Sequence, residues 1–305
     1  MDIKGIPFNL DYTLSSGQAF RWVKQNEWWN GVIKGRSIKI KQEKKEIIVK
    51  IYPGDSDKDE DIIREYFRLD DDLEHILETI RLDDEIKKST DRFNGLRLMN
   101  QEPWECLVSY ICATNKNIPA IMRNIELISR MFGKKIMTND KDHYSFPTPS
   151  DLSKAKMKEL KKCELGYRAE FVKATAKRVT IEGDELNKLI ETEYEIAKRS
   201  LLFRNKKEKI YLGVGPKVAD CVLLFSLNKM EAFPIDRWIK RCIMNKYSNR
   251  FSDEEYKWLI GRTKKGDSLT DSEYNILSKT MRGYFGKYSG YAQAYLYMNS
   301  RMEDS

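Results

Sequence analysis

Lys217 is the residue of this chain best suited to covalent chemistry. It follows Pro216, which fits the first turn of a helix because its missing N–H costs nothing there. Residues 218–225 are almost wholly apolar, so the helix should be buried, with the Lys217 amine at its N-terminal end. Burial and the positive end of the helix dipole would both favour the neutral amine, the form that attacks carbon. The pattern predicts a nucleophilic lysine, and an ordinary surface lysine after a turn is the alternative.

Two neighbouring features extend this interpretation. Gly213 and Gly215 predict a tight hairpin with positive φ, and the main-chain amides from Gly213 through Val214 to Gly215 can hold a phosphate. A plain helix–helix connection is the alternative. Asp236 follows Pro234 after enough chain for the helix to end and for a loop to return beside its start. Its carboxylate could face a developing positive charge, cap the next helix, or do both.

Composition limits the class of protein. A chain of 305 residues allows two or three domains, and its net charge of +8 suits a partner that carries phosphates. The five cysteines lack metal-ligand spacing and the two histidines lie far apart, so we expect reduced thiols and no catalytic metal. We find neither a membrane-length apolar run nor a signal-peptide pattern. We therefore expect the protein to stay in the compartment where it is made.

Hydrophobic periodicity changes once along the chain. Alternation in the first 55 residues predicts an antiparallel sheet with strands at 19–24, 28–34, 37–42 and 46–52. From about Lys58 the apolar residues recur every three or four, which predicts helices, one of them starting at Pro103. Pro147 and Pro149 mark a loop and a helix cap. The fold class is α+β: an N-terminal antiparallel β-sheet domain packed on two mainly α-helical lobes.

Six segments, in this order, resemble one known family: residues 15–22, 111–117, 165–169, 213–221, 234–236 and 288–293. Together they are similar to the helix-hairpin-helix DNA glycosylases, and within these to the 8-oxoguanine DNA glycosylases that also cleave the strand at the abasic site. Endonuclease III-like relatives carry an iron–sulfur cluster on C-terminal cysteines, and nothing after Cys242 could supply one here. The resemblance implies a sheet domain over 1–80, a helical lobe over 103–217 that ends in the hairpin, and a lobe of 81–102 and 218–305 that completes the base pocket.

The resemblance also implies a reaction. Lys217 would attack C1′ of the damaged nucleotide and form a Schiff base, Asp236 would stabilise positive charge at the sugar, and β-elimination would nick the strand. No cofactor would be needed, because the lysine supplies the covalent catalysis. The partner would be double-stranded DNA containing 8-oxoguanine, bound by a monomer and away from any membrane. Two alternatives stay open: a monofunctional glycosylase that uses water against another lesion, and a non-catalytic helix-hairpin-helix DNA-binding protein.

Four residues match the family's lesion pocket. The carbonyl of Gly17 would accept the N7 hydrogen that 8-oxoguanine has and guanine lacks, and Gln293 would read the Watson–Crick edge. Cys221 and Tyr297, the latter in place of the usual phenylalanine, would sandwich the flipped base. Taken without the resemblance, Gly17 is a turn glycine, Gln293 is a buried structural amide and Cys221 is a core cysteine.

Asn115, Tyr167 and Arg168 match the residues that fill the hole left by the flipped base and contact the orphaned cytosine. On sequence alone, 166–168 could equally be an ordinary loop.

The chain departs from the family at three positions. Ala120 stands where a second arginine is usual, and Lys116 stands where an asparagine follows Asn115. Both changes weaken the expected preference for cytosine. Trp238 replaces a histidine that contacts phosphate, which puts the local phosphate grip in doubt.

Overall fold

A four-stranded antiparallel sheet forms the N-terminal part of the molecule, with its strands in the order in which they follow along the chain. The computed structural model describes residues 1–55, 58–138, 142–205, 208–209, 211–263 and 269–303. The strands of the sheet are β1 (Val23–Gln25), β2 (Trp28–Ile33), β3 (Arg36–Glu43) and β4 (Glu46–Tyr52).

Period-two alternation sets the register of this sheet. Ile38 and Ile40 of β3 are fully buried and pair with Ile51 and Val49 of β4, so one face lies on a core. The last three predicted strands are confirmed within a residue at each end. The strand predicted over 19–24 begins only at Val23, and a helix, α1 (Leu10–Ser15), precedes it where the sequence analysis placed none.

A close approach explains why the chain before β1 is not a strand. A Cβ at Gly31 in β2 would lie 2.5 Å from the Trp22 indole, so this ring lies over the face of the sheet. Phe20 instead packs in the large helical core. Residues 19–22 therefore cross from the helices to the sheet, and their apolar pattern reflects two different cores.

Helices make up most of the chain after the sheet. Pro103 begins one of them, as predicted, and Thr148 caps the helix that starts at Pro149, with Asp151 closing a capping box. In the residues that the structure describes, two pairs of very short strands interrupt the series: β5 (Lys135–Ile136) with β6 (His143–Tyr144), and β7 (Phe203–Asn205) with β8 (Glu208–Lys209). The further helices are α2 (Asp59–Phe67), α3 (Leu73–Ile80), α4 (Asp84–Arg92), α5 (Pro103–Ala113), α6 (Ile118–Phe132), α7 (Pro149–Lys154), α8 (Met157–Lys162), α9 (Arg168–Glu182), α10 (Glu185–Lys188), α11 (Tyr194–Leu202), α12 (Pro216–Ser226), α13 (Arg237–Lys246), α14 (Asp253–Thr263), α15 (Asp271–Phe285) and α16 (Ser289–Glu303).

Helix α12 lies in the middle of the helical core, as its apolar sequence predicts. It packs against α5, α11 and α15, and every residue from Val218 to Ser226 is buried. The fold thus places the N-terminal end of α12, with the preceding hairpin, at a surface of the protein. None of the described helices has both the length and the apolar character needed to cross a membrane.

Candidate active site

The hairpin before α12 requires glycine at one of its two predicted positions. Gly213 has φ +81°, and a Cβ there would lie 2.7 Å from the ring of Phe171, so both conformation and space demand glycine. Gly215 has φ −108° and ψ −177° as the N-cap residue of α12, so the positive φ expected at this position is wrong. Pro216 occupies the first turn as predicted. The hairpin is therefore held against α9 by the Gly213–Phe171 contact.

The three hairpin amides differ in their availability. The Val214 N–H donates to the carbonyl of Tyr211 at 3.2 Å and closes the turn. No described residue accepts a hydrogen bond from the amides of Gly213 or Gly215. An anion approaching the hairpin would meet these two N–H groups at the positive end of α12.

Lys217 lies exposed on the first turn of α12, although the helix behind it is buried. The expectation that burial desolvates this ammonium is therefore wrong for the free protein. The first turn of a helix can project into solvent while the later turns are buried in the core. The apolar sequence pattern did not show at which residue burial begins. The amine is accessible to a large substrate.

Asp236 is the N-cap of α13. Its Oδ1 accepts from the N–H groups of Trp238 at 3.0 Å and Ile239 at 2.9 Å, which confirms the capping role. The side chain is half-buried. Both bonds involve the same oxygen, so the carboxylate is held in one orientation while it still carries its charge.

Lys217 and Asp236 converge on one buried thiol. Burial raises the pKa of the Cys221 thiol, the Lys217 ammonium lowers it, and the Asp236 carboxylate raises it further. Both ionic groups therefore act electrostatically on the same thiol. Lys217 lies one helical turn before Cys221 on α12, and Asp236 lies at the start of the next helix, after the chain returns through Pro234.

Tyr297 extends this site towards the N-terminal part of the chain. Burial raises the pKa of the Tyr297 phenol, and the Asp236 carboxylate raises it further. On its other side the phenol faces Gly17, where a Cβ would lie 3.5 Å from the Tyr297 oxygen and 3.1 Å from Ile118. Gly17 has φ +78°, and no described residue donates to its carbonyl.

The segment around Gly17 is firmly anchored. The Gln18 side chain accepts from the Met99 N–H and donates to the Arg97 carbonyl, both at 2.9 Å. The Gln18 carbonyl accepts from Gln101 and from the Tyr110 hydroxyl, also at 2.9 Å. The turn is therefore rigid and can present its glycine carbonyl in a fixed direction.

Gln293 lies on α16, one helical turn before Tyr297 and on the same face. It is only 6% exposed, and no described residue is hydrogen-bonded to its side-chain amide. A structural amide would satisfy its groups within the fold, so this observation favours a ligand-reading residue over the structural alternative.

The second predicted group, Asn115, Tyr167 and Arg168, also converges. Asn115 follows α5 with φ +52° and is exposed. The Nε of Arg168 donates to the Thr114 carbonyl at 3.0 Å, which ties the two segments together. Tyr167 is 54% exposed, lies 4.4 Å from the Arg168 guanidinium and packs edge-on against Phe171. Because Phe171 also contacts the hairpin, this ring and the hairpin belong to one surface.

Two basic residues near Asn115 are already engaged. The Lys116 ammonium donates to the Glu164 carbonyl at 3.0 Å and to the Asn124 side chain. The Arg123 guanidinium donates through Nε and Nη2 to the two oxygens of the Glu164 carboxylate, each at 2.8 Å. The Ala120 side chain has no donor that could contact the opposite base in place of Lys116 or Arg123.

Trp238 forms a different surface from the one a histidine would make. The guanidinium of Arg237 lies 4.8 Å and that of Arg241 5.5 Å from its ring. Both arginines are exposed on the first turns of α13, beside Asp236. Positive charge is therefore present at this position without the imidazole.

Asp220 is a buried residue that the sequence analysis missed. It is fully buried on α12, between Lys217 and Cys221 in sequence, and it is bonded to Tyr194, Lys198 and Tyr274. One carboxylate in an otherwise apolar helix was the signal that could have identified it.

The described residues hold no cluster of three or more metal-ligating side chains, and the five cysteines are free and buried.

A family profile described as 8-oxoguanine DNA glycosylase, N-terminal domain, matches residues 1–107. The chain is also similar to an N-glycosylase/DNA lyase of Saccharomyces cerevisiae. The two are 30% identical over 313 aligned residues, which cover 94% of this chain and 82% of the yeast protein.

Solved structures extend this similarity to the whole fold. The Clostridium acetobutylicum 8-oxoguanine glycosylase/lyase in its apo form is 31% identical with a TM-score of 0.80, covering 95% of this chain and 92% of that one. Its complex with double-stranded DNA containing cytosine opposite 8-oxoguanine is 30% identical with a TM-score of 0.83, covering 98% and 93%.

Proposed function

Because this chain belongs to the family of 8-oxoguanine DNA glycosylases that are also DNA lyases, we propose that Lys217 and Asp236 carry out its reaction. The protein excises 8-oxoguanine from duplex DNA and cleaves the strand at the abasic site. It acts on DNA, so it works with the chromosome, in the cytoplasm of a prokaryote or the nucleus of a eukaryote.

Covalent catalysis by an amine accounts for both activities. The Lys217 amine attacks C1′ of the damaged nucleotide while the bond from C1′ to the base breaks, and the base leaves with the electron pair and takes up a proton. The sugar ring then opens to a Schiff base. Loss of a proton from C2′ expels the 3′ phosphate by β-elimination, and hydrolysis of the imine releases the lysine.

The observation that carries this proposal is an exposed amine on the first turn of α12 together with a carboxylate that is held fixed at the start of α13. As the bond to the base breaks, positive charge develops at the sugar, and the fixed Asp236 carboxylate stabilises it. Bound DNA covers Lys217, which is exposed in the free protein. Desolvation of the amine is therefore part of substrate binding and does not precede it.

Recognition of the lesion follows from groups that lack partners. The Gly17 carbonyl accepts the N7 hydrogen of 8-oxoguanine, and the buried amide of Gln293 pairs with the Watson–Crick edge. Guanine would leave the carbonyl unpaired, which a buried site penalises. Cys221 and Tyr297 sandwich the base, while Asn115, Tyr167 and Arg168 occupy the vacated place in the duplex.

A duplex with a single 8-oxoguanine tests this function. We expect release of the base, nicking on the 3′ side and a borohydride-trapped protein–DNA adduct. Base release without trapping would mean that water is the nucleophile. Binding without either product would mean a non-catalytic DNA-binding protein.

Binding is expected to weaken steeply with salt. The two hairpin amides and the net charge of +8 indicate contact with at least three phosphates, or a log–log slope steeper than about −2.7, at roughly 0.9 per phosphate. Replacing Arg237, beside Trp238, by glutamine should make the slope about one unit shallower. Fluorescence anisotropy at several salt concentrations measures the slope for the wild type and for the Arg237 variant.

Lys279→Gln is the matched control for this salt series, because Lys279 is an exposed residue of α15. It should leave the slope unchanged. A wild-type slope near zero would contradict phosphate-dominated binding, and equal effects of the two substitutions would remove Arg237 from the interface.

The preference for cytosine opposite the lesion is expected to be moderate. Ala120 cannot donate a hydrogen bond, while Lys116 and Arg123 are engaged by Glu164. One good base contact is worth about 1–3 kcal/mol, so rates opposite other bases should lie within about two orders of magnitude of the rate opposite cytosine. Single-turnover excision on four duplexes that differ only in the opposite base measures this range.

The Ala120→Arg variant is the comparison for this measurement. Its arginine restores the missing donor and should increase the ratio of the excision rate opposite cytosine to the rates opposite other bases. A wild-type preference far beyond two orders of magnitude would show that Lys116 or Arg123 leaves Glu164 and takes over the contact.

A further inference from the structure

A buried polar cluster lies directly behind the candidate active site. Asp220, on α12, accepts hydrogen bonds from the hydroxyls of Tyr194 and Tyr274, each at 2.7 Å. The Lys198 ammonium lies 3.0 Å from the same carboxylate and also donates to the Tyr194 hydroxyl at 2.8 Å. We call these four residues the Asp220 cluster. All four are buried, and they come from three helices, α11, α12 and α15.

One member of the Asp220 cluster contacts the loop of residues 234–236, which ends at Asp236. The Tyr274 hydroxyl accepts a hydrogen bond from the N–H of Ile235 at 3.3 Å while it donates to Asp220. Ile235 directly precedes Asp236. Tyr194 and Lys198 make no hydrogen bond to residues 234–236 in the part of the chain that the structure describes. Tyr274 is therefore the link between α12 and that loop.

The charge state of Tyr274 suits this link. Burial raises the pKa of the Tyr274 phenol well above its ordinary value, and the Asp220 carboxylate raises it further. The phenol therefore stays protonated, donates its hydrogen to Asp220 and keeps a lone pair for the Ile235 N–H. A hydrogen bond to a buried carboxylate is also stronger than one between neutral groups.

We propose that Asp220 and Tyr274 are positioning residues that fix the Asp236 carboxylate relative to the Lys217 amine. The inference rests on the proposed function. Lys217 takes its place from α12, whereas Asp236 takes its place from the loop after that helix. The Asp220–Tyr274–Ile235 chain of hydrogen bonds joins the two directly, and displacements of about 1 Å between reacting groups can cost up to about a hundredfold in rate.

A purely structural cluster would behave differently. Loss of either tyrosine hydroxyl would then lower stability and slow every step to a similar extent. Positioning of Asp236 acts chiefly on base loss, where positive charge develops at the sugar, and less on DNA binding or on nicking of an abasic site that already exists. The ratio of these steps therefore separates the two roles.

Tyr274→Phe and Tyr194→Phe form a matched pair for the test. Each variant removes one buried hydroxyl that donates to Asp220 at 2.7 Å, and only the first removes the acceptor of the Ile235 N–H. Three quantities are measured for both variants and the wild type: single-turnover excision from an 8-oxoguanine duplex, nicking of a preformed abasic duplex, and the Kd for the lesion duplex. Thermal unfolding monitored by circular dichroism reports stability.

We expect Tyr274→Phe to slow excision about ten- to a hundredfold, with Kd and abasic-site nicking changed by less than about threefold. Tyr194→Phe should retain excision within about threefold at a similar loss of Tm. Asp220→Asn is the second variant if Tyr274→Phe yields too little folded protein, and it should slow excision in the same selective way.

Equal excision rates in the two tyrosine variants, or equal slowing of excision and nicking in Tyr274→Phe, would overturn the inference. A wild-type protein that neither excises nor traps would overturn the proposed function, and the inference with it. A working wild type with indistinguishable variants would overturn the inference alone.

Discussion

Replacing Lys217 by glutamine is expected to abolish borohydride trapping and strand nicking while the protein still binds the lesion duplex. Glutamine has no amine, so no Schiff base can form. Lys217 is exposed, so the substitution removes no buried contact and should change the free energy of unfolding by less than about 0.5 kcal/mol. Trapping yield on a denaturing gel and a parallel Kd measurement check the two parts.

Lys279→Gln serves as the control for this substitution too, since it removes an equal charge from an exposed helical position. It should trap like the wild type. Retained trapping in Lys217→Gln would identify another amine as the nucleophile and would remove the central residue of the proposed mechanism.

The second large effect is expected at Asp236, where one substitution separates two roles. Asparagine caps helices as well as aspartate does, so Asp236→Asn should keep the bonds to the N–H groups of Trp238 and Ile239 and preserve stability. The same change removes the negative charge that faces the sugar. We expect single-turnover excision to fall about 10²- to 10³-fold, as when one transition-state stabiliser is lost.

Two further variants define the comparison. Asp236→Ala loses cap and charge together and should also unfold more easily, by about 1 kcal/mol. Asp72→Asn changes an N-cap aspartate on α3, away from the site, and should leave excision unchanged. Wild-type excision by Asp236→Asn would reduce Asp236 to a helix cap.

The sequence by itself determined the features that depend on a few neighbouring residues. Alternation placed the last three strands of the sheet, and Pro216 placed the start of α12. The N-cap at Asp236 was predicted for the same reason, since a capping bond reaches only two or three residues along the chain. Gly213 could be assigned a positive φ because the hairpin is local, whereas Gly215, at the helix start, proved to be extended.

The six segments that resemble the family gave the site residues their expected roles, and these roles remain predictions. Their convergence could not be read from the chain. Gly17 and Tyr297 lie near opposite ends of the sequence, and only the packing of α16 beside the N-terminal turn brings them into contact.

Only the tertiary structure decided which of these groups are buried and what holds them. Lys217 was expected to be desolvated because its helix is apolar, yet the core ends at Val218 and the lysine is exposed. Asp220 was overlooked in the same helix because its partners come from α11 and α15. Burial and long-range hydrogen bonds are properties of the elements that pack together, whereas capping, turn conformation and strand alternation are settled within a single segment.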